Sequence, residues 1–298
     1  MKRIDAHLHV FAKATTEFPR QTDDLFPPER EEPVEKLLAE MEKHHVDQAM
    51  LVQMLGEDLK HHAYLRHCLT SYPDRFLGIG LIPPQCQNPE DHMDRLADDG
   101  RIIGFRLGTL GGPRDPFAPT DVRQFATYRI WQHAAKHDYV MWLYLQAVDA
   151  HLVAYMVDAF PQVRVVFNHL GVCPGVGKFS WDEKQRPHVD SPDFFTTMHT
   201  IHRLARYDNV ALHLSGQYAF SKEPFPYQDL EGVHRYLLHG FGPQRLMWAT
   251  DAPWIYEKPG YGALLNVIGE LLPNLSEADH AAIMGGTAQQ FLRFPQVN

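Results

Sequence analysis

RIDAHLHVF, residues 3–11, is the stretch that decides the fold. It reads as a short strand over residues 3–7 that runs directly into two histidines, His7 and His9, and then into a loop carrying Lys13. A doubly wound nucleotide-binding sheet needs a glycine-rich turn after its first strand, where the backbone approaches a phosphate. HLHVFAK, residues 7–13, contains no glycine. The other architecture built from alternating strands and helices is a (β/α)8 barrel, which gathers polar residues at the C-terminal ends of its strands.

The rest of the chain supplies the strands and helices such a barrel requires. Further strand-like runs occur at 47–53, 76–82, 102–107, 139–145, 163–169, 209–214 and 245–251. Most are nearly continuous apolar runs, which suits parallel strands buried on both faces. Between them, 34–45, 58–72, 121–137 and 149–160 carry apolar stripes of helical period, as helices packed on a sheet do. Helices also fit 192–206, 228–239 and 261–272, and Ser276 opens a last one to about 292. Eight strands alternating with helices predict an α/β TIM barrel, one domain over 1–298. Long loops at 10–33 and 170–192 follow strand ends and are placed to roof its mouth.

Composition narrows the function class. The net charge of −9 argues against a nucleic-acid partner. No apolar run reaches the ~18 residues that would span a bilayer. Lys2, Arg3 and Asp5 do not resemble a signal peptide. Cys68, Cys86 and Cys173 are too far apart in sequence for a disulfide framework or a thiolate zinc site. A cytoplasmic protein acting on a small molecule is the expectation, and association into a homo-oligomer is compatible with it. Nineteen histidines make chance pairs inevitable, and those at 44–45 and 61–62 read as solvated helix faces.

The strand ends carry the chemistry. Side chains alternate along a strand, so His7 and His9 share a face. The fourth strand ends in Arg106, the fifth in Tyr144 and Gln146, the sixth in FNHLG with His169, and the seventh in HLSG with His213. The eighth runs RLMWATDAPW, with Asp251 just before Pro253, a residue that cannot continue a central strand. Histidines, an arginine and an aspartate converging on one face are hard to explain as packing. Trp181, Tyr218, Trp254 and Tyr256 fall on the mouth loops and are candidates for an apolar wall.

IDAHLHVF, FNHLG, HLSGQY and RLMWATDAPW, in this order and spacing, resemble the amidohydrolase superfamily, and within it the lactonase-like amidohydrolase-2 branch. The resemblance runs nearly end to end. It implies a distorted (β/α)8 barrel and hydrolysis of a small cyclic ester, a sugar-acid or aromatic-derived lactone. It also implies Asp251 as general base, His169 as a second catalytic residue, and Arg106, Tyr144 and His213 as substrate contacts. His7, His9 and Asp251, with His169 at best a fourth, would be ligands for one divalent metal, zinc or manganese, although some relatives with similar sets work without metal. No carboxylated lysine or glutamate stands where a second ion would need a bridge. The fifth-strand histidine of the metal-dependent decarboxylases is absent from VMWLYLQ, residues 140–146. A decarboxylase, an amide hydrolase and a non-catalytic ligand-binding barrel are the alternatives.

Overall fold

The structure, a computed structural model describing residues 2–171, 178–190 and 194–296, contains a barrel of eight parallel strands. They are β1 (Ile4–Leu8), β2 (Gln48–Val52), β3 (Phe76–Leu81), β4 (Ile102–Leu107), β5 (Val140–Leu143), β6 (Val165–Phe167), β9 (Val210–Leu214) and β10 (Leu246–Trp248). Each pairs in parallel with the next, so the expected (β/α)8 order is present. Two further strands, β7 (Lys178–Trp181) and β8 (Pro187–Asp190), form an antiparallel hairpin in the stretch expected to be loop.

The last and first strands are joined by side chains and loops. Asp251 N donates to His7 O at 3.0 Å, and His9 N to Ala252 O at 2.8 Å. The Asp5 carboxyl accepts from Thr250 N at 2.9 Å, from Thr250 Oγ1 at 2.6 Å and from the Tyr261 hydroxyl at 3.0 Å. This seam fixes Asp251 beside the histidine pair.

Alternation sorts the strands into two cores. Inward residues, among them Met50, Val52, Ile79, Val140, Trp142, Val166, Ala211 and Met247, fill the barrel. Outward ones such as Leu51, Phe105, Leu143, Phe167 and Leu212 meet the helices. At Gly104 β4 has no room for a side chain against β5: a Cβ there would lie 2.3 Å from the Val140 carbonyl oxygen. In β1 the alternation is broken. Asp5 pairs with Ala49 and Leu8 with Leu51, so Ala6 and His7 together oppose Met50. This bulge leaves Ile4 and Ala6 in the barrel core, turns Asp5 to the seam, and points His7 inward.

The helices follow the expected stripes with differences at their ends. Helix Val34–Lys43 buries Val34, Leu37 and Met41. Helix Tyr128–His137 buries Ile130, Trp131 and Ala134. Helix Pro89–Leu96, opened by a proline in its first turn, has no counterpart in the sequence reading. The predicted last helix is three short pieces, Glu277–Ala281, Ala282–Gly286 and Thr287–Phe291. Ser276 caps its start as expected, accepting from Asp279 N. Among the described residues no helix is long and apolar enough to cross a membrane. Cys68 is buried, and burial pushes its thiol up to about 12; Cys173 lies outside the described residues.

The pair at 61–62 is not a solvated face. His62 is fully buried: its Nδ1–H donates to Asp58 O at 2.9 Å, and its Nε2 accepts from Leu81 N at 2.9 Å. Protonation would set a second N–H against that amide. Burial lowers both His62 and the buried His234 to about 4. For a base whose folded pKa lies below its unfolded value of about 6.5, the folded state binds fewer protons between the two values. The stability these groups contribute is therefore complete above about pH 6.5 and is lost as pH falls through about 4. Asp5, which burial raises to about 7, opposes them between pH 7 and 4, but it is one group against two. Thermal melts from pH 7 to 4 should therefore show Tm falling across this window, and a flat profile would contradict it.

Candidate active site

The barrel mouth brings together residues from five strand ends. His7 and His9 come from β1, Arg106 from the end of β4, Tyr144 from just beyond β5, His169 from beyond β6 and Asp251 from beyond β10. The Asp251 carboxylate is the centre. His9 Nε2 lies 3.5 Å from its Oδ1, His7 Nε2 3.6 Å and His169 Nε2 3.9 Å. Its other oxygen, Oδ2, accepts a 2.6 Å hydrogen bond from the Tyr218 hydroxyl. Asp251 and His169 both adopt left-handed backbone conformations, φ 58° and 48°. Such conformations are uncommon outside glycine and collect at functional sites, although Asp and His tolerate them better than most residues.

Electrostatics favour a carboxylate among neutral imidazoles. Burial lowers His169 to about 4 and holds His7 well below the usual histidine range. Burial alone would raise Asp251, but the facing imidazoles and the Tyr218 hydroxyl hold it below the ordinary carboxylate value. Arg106 is lowered by burial, with Tyr144 and Asp251 opposing. Its guanidinium lies over the Tyr144 ring, 4.8 Å from the centroid. Among the described residues it forms no ion pair with a carboxylate. Arg106, Tyr144, His9, His169 and Asp251 open together into a cavity of about 200 Å³. Trp181, Phe179 and Trp254 wall it, with Phe26 of the 10–33 loop packed edge-on against both tryptophans.

The outer partners fix the tautomers. The Trp142 indole N–H donates to His7 Nδ1 at 2.9 Å. Indole can only donate, so a neutral His7 carries its proton on Nε2, the atom facing Asp251. His9 is set the other way: its Nδ1–H donates to Val52 O at 2.8 Å, which leaves Nε2 with a lone pair in the neutral ring. His169 Nδ1 is 3.0 Å from Ser215 Oγ.

Several expectations need correction. The side chains with metal-ligand spacing are His7, His169 and Asp251, whose donor atoms lie within 4.8 Å of one another. His9 is not in that group, although its Nε2 lies 3.5 Å from Asp251 Oδ1. His7 Nε2 and Asp251 Oδ1 are buried without hydrogen-bond partners, which suits an ion in spacing. It does not suit one in protonation: the tautomer Trp142 imposes puts a proton where His7 would need a lone pair. His213, expected at the substrate, is fully buried one layer below, with its ring centroid 4.7 Å from Trp142 and 5.4 Å from His7. It does not line the cavity, because its strand position falls beneath the mouth. Tyr256 sits outside the cavity, under Lys36, and Gln146 is exposed. Ser215 and Trp142 carry parts of the site that the sequence reading did not assign, and Tyr218, expected in an apolar wall, lines the cavity and also donates to Asp251. HLSGQY held two of them, but nothing in a sequence tells which side chain reaches Asp251.

A family model described as Amidohydrolase matches residues 4–294. No curated protein matches. Among solved structures, a probable 2-pyrone-4,6-dicarboxylic acid hydrolase from Acinetobacter baumannii, with citric acid bound, is 16% identical at a TM-score of 0.73. The match covers 99% of this chain and 100% of that one. An amidohydrolase from Burkholderia multivorans with bound zinc is 19% identical at a TM-score of 0.73, over 99% and 100% of the two chains. A 5-carboxyvanillate decarboxylase from Sphingomonas paucimobilis is 15% identical at 0.61, over 98% and 99%. At these identities the likeness is one of fold.

Proposed function

We propose that this chain, which belongs to the amidohydrolase family, hydrolyses a small cyclic ester carrying a carboxylate. The observation that carries this reading is the carboxylate of Asp251, ringed by three imidazole nitrogens at 3.5–3.9 Å and facing a cavity that also holds Arg106. A general base must be ionised, within reach of water, and held in one orientation. Asp251 is held by Tyr218 on Oδ2, which leaves Oδ1 for the water. It takes the proton as the water attacks the ester carbonyl and returns it to the leaving alkoxide. The Nε2–H of His7 and the imidazole of His169 stand where charge develops on the carbonyl oxygen, and donors there lower the barrier without reorganising.

His7, His169 and Asp251 are the residues that would hold a divalent ion, and such an ion acidifies water and polarises a carbonyl. Arg106 offers a planar fork to a carboxylate, with the Tyr144 ring beneath it. A pyrone dicarboxylic acid, named for one structural neighbour, is a cyclic ester of this kind.

The test is a screen of sugar-acid lactones and aromatic-derived lactones, read by acid release, with and without a strong chelator. Hydrolysis of at least one carboxylated lactone, at a rate the chelator leaves unchanged, is the expected result. Release of carbon dioxide from aromatic acids without lactone turnover would replace this reading by decarboxylation. Loss of hydrolysis on chelation, restored by zinc, would keep the reaction but overturn the role given to the His7 proton.

A further inference from the structure

A second cluster of metal-ligating side chains lies on the outer helical layer, away from the barrel mouth. His133 and His137 stand one turn apart on helix Tyr128–His137, with ring centroids 4.2 Å apart. Asp94, on the neighbouring helix Pro89–Leu96, places Oδ1 2.7 Å from His133 Nε2. One donor atom from each of the three lies within 4.8 Å of the others.

We propose that Asp94, His133 and His137 form a binding site for a zinc-class divalent transition metal, which would cross-link these two helices. Two imidazoles four residues apart on a helix present their nitrogens to one side. With a carboxylate they make the two-nitrogen, one-oxygen set that zinc accepts while keeping a position for water. Magnesium and calcium prefer all-oxygen sets and are excluded by the same donors.

The surroundings point the same way. His137 occupies the last turn of its helix, where the backbone carbonyls present the negative end of the dipole and stabilise a cation. The Tyr139 hydroxyl donates to Asp94 Oδ1 at 3.3 Å, steadying the carboxylate as outer partners of metal ligands do. The cation of Arg129 is taken up by Glu90, at 3.0 and 2.7 Å, and so does not neutralise Asp94. Asp94 is 51% exposed at its side chain, which leaves water free access.

The experiment is calorimetric titration of the intact protein with zinc, repeated on His137→Ala and Asp94→Asn and with magnesium as the control ion. Both substituted side chains are exposed, so folding should be unaffected, and lactone hydrolysis should be unchanged in both. The wild type is expected to bind a zinc ion that each variant binds about tenfold or more weakly. Added zinc should raise the Tm of the wild type and not of His137→Ala. Equal zinc stoichiometry and affinity in all three proteins would assign any bound zinc to the barrel mouth and overturn the proposal. Equal binding of magnesium would overturn it as well. Because neither variant touches the mouth, the outcome is independent of whether the protein is a lactonase.

Discussion

Asp251→Asn is expected to lower the turnover of a lactone substrate by about 10² or more, the scale of losing a general base, with the fold intact. The substitution isolates basicity. Asn keeps the shape, and its amide oxygen can still accept the Tyr218 hydroxyl bond that now goes to Oδ2 at 2.6 Å. Asn also tolerates the left-handed conformation at this position, φ 58°, which alanine would resist. Backbone strain is thus unchanged, and so is the seam in which Asp251 N donates to His7 O. What is lost is the charged oxygen facing three imidazoles. Steady-state rates beside a thermal melt separate the outcomes. Unchanged Tm with a hundredfold slower rate is the expected pair of readings. Near-normal turnover would remove Asp251 from the proton transfer, and would leave its buried charge as a device for holding the histidines.

Much of this site can be read from residues 3–11 and 245–254, because the barrel makes simple rules apply. Parallel strands buried on both faces give unbroken apolar runs, and a polar residue that ends such a run must point into the mouth or be cut off from water. Arg106, His169 and Asp251 follow that rule and do line one cavity. The rule fails one layer down. His213 ends a similar run, yet it is fully buried behind His7, and strand length alone does not say which layer is the last. Period two also fails at a bulge. Alternation would put Asp5, His7 and His9 on one face, but the extra residue at Ala6–His7 sends Asp5 to Thr250 and Tyr261 instead. Tautomers are further from reach. Whether His7 donates or coordinates depends on the Trp142 indole, 135 positions away in the chain. His62 shows the same limit outside the site: beside His61 it reads as surface, and the Leu81 amide makes it core.

Arg106→Met should weaken catalytic efficiency toward a carboxylated lactone by about 1.5–3 kcal/mol, the worth of a hydrogen bond to a charged group, or roughly 10- to 150-fold. A half-buried guanidinium is costly unless something pairs with it, and among the described residues no carboxylate pairs with Arg106, whose close contact is the Tyr144 ring. The cavity beside it is walled by aromatic side chains, so an anionic ligand would meet the cation with little water between them. Arg106→Lys keeps the charge and loses the two-pronged geometry, and should fall between wild type and Arg106→Met. The discriminating measurement uses two substrates, one carboxylated lactone and one neutral lactone of the same ring. If Arg106 grips the carboxylate, the neutral compound loses much less in both variants, and the loss for the carboxylated one falls mainly on KM. Equal losses for both lactones would assign Arg106 to the transition state or to holding Tyr144 against His169, whose rings lie 5.2 Å apart. In that case the substrate need not be an anion.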